Sequence, residues 1–258
     1  MSLALRYEDL AGEVGHFLGY GRGAAFDDPA WPAMEAKTID RCVQTGYGWF
    51  IRTPEMQGEK ASYPWSFLSP VGTATTVSGN AEVLLPIGFG GLNGSVVVEE
   101  GGLMTRSSEI AIHRLHAADT NASGIPVMFA LTTDKDNATH DQRMKFYVFP
   151  TPDDAYTLTF NYYFMPQALS NPRPFAVGGP EHHETLKAAC IAAAEVEQNH
   201  EMGIRYKMFL DRLKASIAFD RDHRKPTNLG YNGDRSDIRN LGRIRNHDRP
   251  FTVTIDRT

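Results

Sequence analysis

Residues 180–224 restrict the fold more than any other stretch, because they read as a helical run that cannot bury its own apolar face. Gly178 and Gly179 end whatever precedes the run. Pro180 stands where a first helical residue is tolerated, since the N–H it lacks would be unpaired there anyway. Glu181 and Glu184 lie in the first turn, where the helix dipole favours negative charge. Leu186, Ala189, Cys190, Ala193, Val196 and Glu197 follow the three-and-four spacing of one helical face. Ile204, Met208, Leu210, Leu213 and Ile217 repeat it, with Lys207, Arg212 and Lys214 between them. Arg221, His223 and Arg224 close the run as cations near a C-terminus. Gly203 interrupts it, at a cost of about 1 kcal/mol relative to Ala, so the run is one kinked helix or two helices meeting there.

Partners for this run come from the N-terminal end. Residues 3–18 predict a helix with Leu3, Tyr7, Leu10, Val14 and Phe17 or Leu18 on one side. Asp27-Asp28-Pro29 then offers a cap for a second helix over 30–51, with Trp31, Met34, Ile39, Val43, Tyr47 and Phe50 as its buried side. Pro54 ends it.

From Tyr63 the texture becomes β. Short runs at 73–77, 82–86, 95–99, 109–113, 127–132 and 145–149 are separated by Gly, Pro, Asn and Asp. The longest, 156–164, places Tyr156, Leu158, Phe160 and Tyr162 on one face. Such spacing predicts an antiparallel sandwich or barrel and not a βαβ sheet. The fold class expected is therefore α+β. A helical bundle over 1–61 and 168–224 carries an inserted antiparallel β-domain over 62–167 and an extended basic C-terminal arm over 225–258.

Charge separates the arm from the rest. Residues 221–258 hold nine Lys and Arg against five Asp, a surplus of four. With −5 on the whole chain of 258 residues, the other 220 carry −9. An acidic body argues against a general nucleic-acid binder, which carries a basic footprint. On the arm, Arg235, Arg239, Arg243 and Arg245 approximate helical spacing and could meet phosphates non-specifically or a neighbouring subunit. Phe251, Val253 and Ile255 alternate with threonines in a strand too short to stand alone, so it pairs with a sheet edge or another subunit. The two cysteines, Cys42 and Cys190, read as buried thiols of a reducing compartment. No apolar run approaches 18 residues, so no membrane span is expected. Acidic residues come too early for a secretory leader, and the chain is expected to be used without export.

No catalytic constellation stands out. Glu13…His16 and Glu197…His200 have the Glu-x-x-His spacing of di-metal bundles. The two further glutamates such a site needs are not evident, Glu35 and Glu184 being the nearest guesses, and a solvated helix face explains both motifs. In His182-His183-Glu184, neighbours point about 100° apart, so a polar first helical turn is the simpler reading. Gly19, Gly21 and Gly23 follow a helix, not a strand, and Asp27 and Asp28 would repel phosphate, so they form a turn. No Gly-x-Ser-x-Gly elbow exists, Cys190 lies on an apolar face, and Asp153-Asp154 lies in a turn. The expectation is no catalytic residue, no metal and no cofactor.

Several segments resemble head-to-tail adaptor proteins of tailed bacteriophages, of the connector or tail tubular protein A-like type. They are Leu5-Arg6-Tyr7-Glu8-Asp9-Leu10, Ile39-Asp40-Arg41-Cys42-Val43, Tyr63-Pro64-Trp65-Ser66-Phe67-Leu68, Phe149-Pro150-Thr151-Pro152-Asp153 with Tyr156-Thr157-Leu158, and the Ala-rich helix over 183–197. The resemblance spans roughly residues 3–222, and the arm matches least. It implies a structural virion protein at the head–tail junction, assembled in the host cytoplasm. The implied assembly is a homo-oligomeric ring, a dodecamer in such proteins. Its implied partners are the portal protein and the tail nozzle or tail tube, with only transient, non-specific contact to passing DNA. The arm of such proteins reaches into the portal or an adjacent subunit. The competing readings are another virion component, such as a stopper or tail-completion protein, and a metal-dependent enzyme using Glu13, His16, Glu197 and His200.

Overall fold

The computed structural model describes residues 4–56, 61–134 and 143–223. Helix α1 spans Tyr7–Phe17 and α2 spans Ala33–Ile51. Strands β1 Val71–Thr75, β2 Glu82–Leu84, β3 Phe89–Val98, β4 Gly102–Leu103 and β5 Thr105–Arg106 follow. Helix α3, Glu109–Ala118, separates them from β6 Met128–Thr133, β7 Met144–Phe149 and β8 Thr157–Phe164. Helices α4 His183–Asn199 and α5 Ile204–His223 complete the described chain. The class is α+β, as the patterning predicts.

The apolar face of the C-terminal run does find its partners in the N-terminal helices. Leu10 and Val14 of α1, Ile39, Val43 and Phe50 of α2, Leu186 and Ala189 of α4, and Phe209 and Leu213 of α5 share one core. The α2–α4 contact is close because both sides are small there. A Cβ on Gly46 would lie 2.5 Å from the Cα of Cys190. Ala189, Ala192 and Ala194 are fully buried in the same region.

The strands enclose a second core in two four-stranded sheets, ordered β1-β8-β3-β4 and β2-β7-β6-β5. Phe146 of the second sheet meets Phe160 of the first edge to face, with ring centroids 5.3 Å apart. In β8 it is Leu158, Phe160 and Tyr162 that turn inward, the alternation read from the sequence. The chain returning to α4 is held by Gln44 of α2. Its amide donates to Leu169 O at 2.7 Å and accepts from Leu169 N at 3.0 Å.

Three expectations are corrected. Residues 109–113 form the start of α3, not a strand. The Ser108 hydroxyl caps it, accepting from Ala111 N at 3.3 Å, and Ile112 is buried beneath it. A window of five residues fits either period, and the cap decides. In consequence β5 and β6 run parallel, Thr105 beside Met128, with α3 as the crossover, so the strand region is not wholly antiparallel. Finally, Met34, Ile204 and Met208, expected inside, are exposed, Met34 at 81% and Ile204 at 69%.

The described part of this run, 180–223, resolves into two helices. His200 ends α4 in the left-handed conformation at φ 58°. Glu195, buried in the last part of α4, then accepts from the N–H groups of Arg205 at 3.0 Å and Tyr206 at 3.3 Å. Its carboxylate satisfies donors that the first turn of α5 would leave open. Gly203 makes room for it, since a Cβ there would lie 2.5 Å from the carboxylate.

Candidate interaction surfaces

The four residues of the Glu-x-x-His pairs do not converge. Glu13 of α1 binds Lys187 of α4 at 2.9 Å and Arg22 at 3.5 Å. The bond to Lys187 holds its carboxyl below the usual carboxylate range. Glu197 of α4 is paired with Arg41 of α2. His16 is exposed in the last turn of α1, and His200 is the C-cap of α4. The two glutamates tie α4 to α1 and to α2. Glu184, the other carboxylate considered on α4, is bound to Arg212 at 2.7 Å. Among the described residues no group of three or more His, Cys, Asp or Glu could hold a metal ion.

The cysteines are buried and free. Burial pushes the Cys42 thiol up to about 11 and the Cys190 thiol higher still. Thiols so desolvated are poor nucleophiles. Asp153 accepts from the Tyr156 hydroxyl at 2.6 Å, and Ser78 donates to its carbonyl at 2.8 Å, as expected of a turn.

His182 and His183, expected in a polar first turn, are core residues instead. His183 Nδ1 accepts from Leu5 N at 2.9 Å, tying the start of α4 to the N-terminal segment. His182 lies among aromatic rings, with centroids 5.3 Å from Trp65, 5.5 Å from Phe67, 5.8 Å from Phe50 and 5.9 Å from Phe219. Its Nδ1 has no hydrogen-bond partner among the described residues. Burial depresses its pKa below the ordinary imidazole value, so the neutral ring is favoured. Beside it, the buried Asp220 of α5 accepts from the Tyr63 hydroxyl at 3.0 Å and from Ser66 N at 3.3 Å, and from the Ser66 hydroxyl. This network fastens the last turns of α5 to the segment that leads into β1. The sequence reading missed both Asp220 and Glu195. An acid at core spacing within a helical run was the available signal in each case.

Among the described residues, two concavities are candidates for meeting a partner. One is a cleft of about 260 Å³ bordered by Tyr47, Phe164, Leu169, Phe175 and Val177. The other is a groove of about 200 Å³ between α4 and α5, with Ala188, Ile191 and Met208 beside Lys187, Arg205 and Arg212. The arm residues singled out in the sequence, Arg235, Arg239, Arg243, Arg245, Phe251, Val253 and Ile255, lie outside the described residues. Among the described residues no helix is long and apolar enough to cross a membrane. A family model described as SU10 adaptor protein matches residues 5–230 of the chain. No curated protein matches it.

Proposed function

We propose, from the premise that this chain belongs to the SU10 adaptor protein family, that it is the ring-forming head-to-tail adaptor of a tailed phage. The family makes it a phage adaptor and a structural component of the virion. The finer reading is a homo-oligomeric ring, a dodecamer, seated between the portal protein and the tail nozzle and forming part of the DNA conduit. One observation carries it: the match runs through α1–α5 and every described strand and ends just inside the basic arm. The remaining surfaces suit a protein that works by binding. The carboxylates that might have served chemistry are spent in tying helices together. The helices form the ring body, and the β-domain over 62–167 faces outward or toward the tail. The arm over 225–258 docks on the portal or the adjacent subunit through Arg235, Arg239, Arg243 and Arg245, with Phe251, Val253 and Ile255 adding a strand to a partner sheet. An acidic body suits a conduit, because repulsion of phosphate lowers sticking.

Deleting 225–258 tests the arm. The truncated body is expected to fold with an unchanged melting transition and to lose binding to portal rings in co-sedimentation. Portal binding equal to that of the full chain would remove the role given to the arm. The ring itself is tested by the symmetry of the density below the portal in purified particles. Absence of the chain from those particles would sink the adaptor reading.

A further inference from the structure

Among the described strands, β1 ends its sheet with an edge that is both open and undefended. Tyr162 N–H donates to Pro70 O at 3.2 Å and Thr76 N–H to Tyr156 O at 3.0 Å, so the even-numbered residues of β1 are those bonded to β8. The backbone groups of Val71, Thr73 and Thr75 therefore point away from β8. Among the described residues no hydrogen bond reaches them. Native edges of this kind are blunted by charge, proline or a bulge. Strand β1 reads Val-Gly-Thr-Ala-Thr, its register with β8 is unbroken, and Val71 is 67% exposed. The next strand, β2, belongs to the other sheet and is guarded. It is three residues long, the Glu82 N–H donates to Asn80 Oδ1 at 2.9 Å, and the Glu82 carboxylate binds Lys145 at 2.8 Å. Strands β4 and β5 are two residues each and hand the chain from one sheet to the other, Met104 N–H bonding Val96 O and Thr105 N–H bonding Val127 O, each at 2.9 Å.

The side chains of β1 say what would suit this edge. Its inner positions are small, Gly72 and Ala74, and its outer ones carry Thr73 and Thr75. A strand laid beside it completes the sheet with bulky apolar residues inward and threonines outward. Residues 251–255, Phe-Thr-Val-Thr-Ile, have that alternation, no charge, and the length of β1. The internal stretches outside the described residues, 57–60 and 135–142, are polar and charged and poor in strand formers. Tether length separates a neighbouring copy from the same chain. Asp220 fastens the end of α5 to Ser66, and five positions, no more than about 18 Å, separate Ser66 from the start of β1. A strand returning to its own sheet would need only a short link. Residues 224–250 supply 27, which reach about 90 Å when extended. A ring also needs a contact in which the giving and receiving surfaces differ. An arm strand on a sheet edge is such a contact, whereas β1 pairing with β1 of another copy would close a dimer.

We infer that the open edge of β1 receives residues 251–255 of a neighbouring copy as an added strand. The backbone groups of Val71, Thr73 and Thr75 supply the hydrogen bonds. Phe251, Val253 and Ile255 lie inward, beside Gly72 and Ala74, and Thr252 and Thr254 lie outward with Thr73 and Thr75. The inference rests on the adaptor reading for the ring that brings the copies together, and it names the receiving surface that the arm needs there.

The test compares purified particles with the isolated chain at low concentration. In the unaltered protein, the amides of Val71, Thr73 and Thr75 are expected to exchange hydrogen quickly in the isolated chain and slowly in the particle. Fast exchange in both would overturn the inference. Thr73→Cys combined with Thr252→Cys or Thr254→Cys then identifies the occupant, through a short bismaleimide cross-linker. Cys42 and Cys190 are buried and do not compete, and surface changes of this size leave the fold in place. Particles are expected to give chain-to-chain multimers on a denaturing gel. Products confined to one chain would overturn the neighbouring copy as donor, as would particles that give no multimers. Multimers from Thr73→Cys alone would mean that two β1 edges pair, and Thr73→Cys joined to a different protein would mean that another virion component covers the edge; either overturns the inference. A chain absent from particles altogether would instead sink the adaptor reading, so the two failures are distinguishable.

Discussion

Helices α4 and α5 leave the same turn and meet their surroundings in different ways. Helix α4 is small-sided and enclosed, with Ala189, Ala192, Ala193 and Ala194 lying against neighbours on much of its circumference. Helix α5 is larger-sided and half covered, with one apolar stripe in the core and another in solvent. The difference shows that apolar content does not by itself report burial in the protomer. In α4 the apolar positions answer to α1, α2 and α5. In α5 several of them, Ile204 and Met208 among them, stay exposed in the protomer, and a subunit of a larger assembly has a reason to keep such a face.

The largest effect expected in this comparison is within α5 itself. Phe209→Ala should cost about 3–5 kcal/mol, because it empties a fully buried site. Met208→Asp, one residue away, should shift stability by no more than about 0.5 kcal/mol, as surface substitutions do. Urea denaturation of both variants checks the pair, and a large loss from Met208→Asp would mean the stripe is already covered within the protomer.

A smaller effect is expected at the enclosed helix. Gly46→Val should destabilise by about 1–3 kcal/mol or more, since the added Cβ meets the backbone of α4 at Cys190 and one helix must move. Gly48, on the same helix, has open space around its missing Cβ. Gly48→Ala should leave the melting temperature unchanged or raise it, and equal losses at both glycines would deny the close approach.

The smallest effect concerns pH and the His182 cage at the start of α4. The folded chain holds His182 below its ordinary pKa, so the unfolded chain takes up the proton first as pH falls. Stability from this group is therefore full above the ordinary imidazole range and is lost as pH drops through it. His182→Phe should change stability at neutral pH by less than about 1 kcal/mol, because it replaces an unpaired buried nitrogen with apolar surface. It should also flatten the acid side of the stability profile. The neighbouring charged groups are the same in both proteins, so the comparison is the difference between two denaturation series. An unchanged acid limb would show that His182 is not the group responsible.

Much of the fold was legible in the sequence. The three-and-four spacing of Leu10 and Val14, of Ile39 and Val43, and of Leu186, Ala189 and Cys190 placed α1, α2 and α4 and their common core. The alternation of Leu158, Phe160 and Tyr162 placed β8 and its inward face. The first helix began later than expected, at Tyr7, and the second at Ala33, once Pro32 had passed. Helix α3 was misread because Ile110 and Ile112 alternate as in a strand. The hydroxyl of Ser108, which caps the helix, lies just before that window.

The interaction surfaces were less legible, for a different reason. Ile204 and Met208 share the apolarity and the i, i+4 spacing of Leu213 and Ile217; the 3.6-residue period puts the two pairs on opposite sides of the helix but does not say which side is core. Glu195 and Glu197 lie two residues apart, and a helix separates such neighbours by about 200°. One became the buried cap of α5 and the other an ion pair with Arg41. His182 looked polar until Phe50, Trp65, Phe67 and Phe219 were gathered around it from both ends of the chain.

What the sequence alone determined was local: which segments are helical or extended, where glycine and proline break them, and how charge divides an acidic body from a basic arm. Those properties depend on residues within a few turns of each other, and their signals survive without neighbours. The tertiary structure decided which of two apolar stripes is core, which acid is buried, and which histidine is dry. Each of those is set by groups brought together from distant parts of the chain, 157 residues apart in the bond between Tyr63 and Asp220. Burial belongs to the contact and not to the residue. A stripe that matches the core in every local respect can therefore remain exposed, as Ile204 and Met208 do on α5.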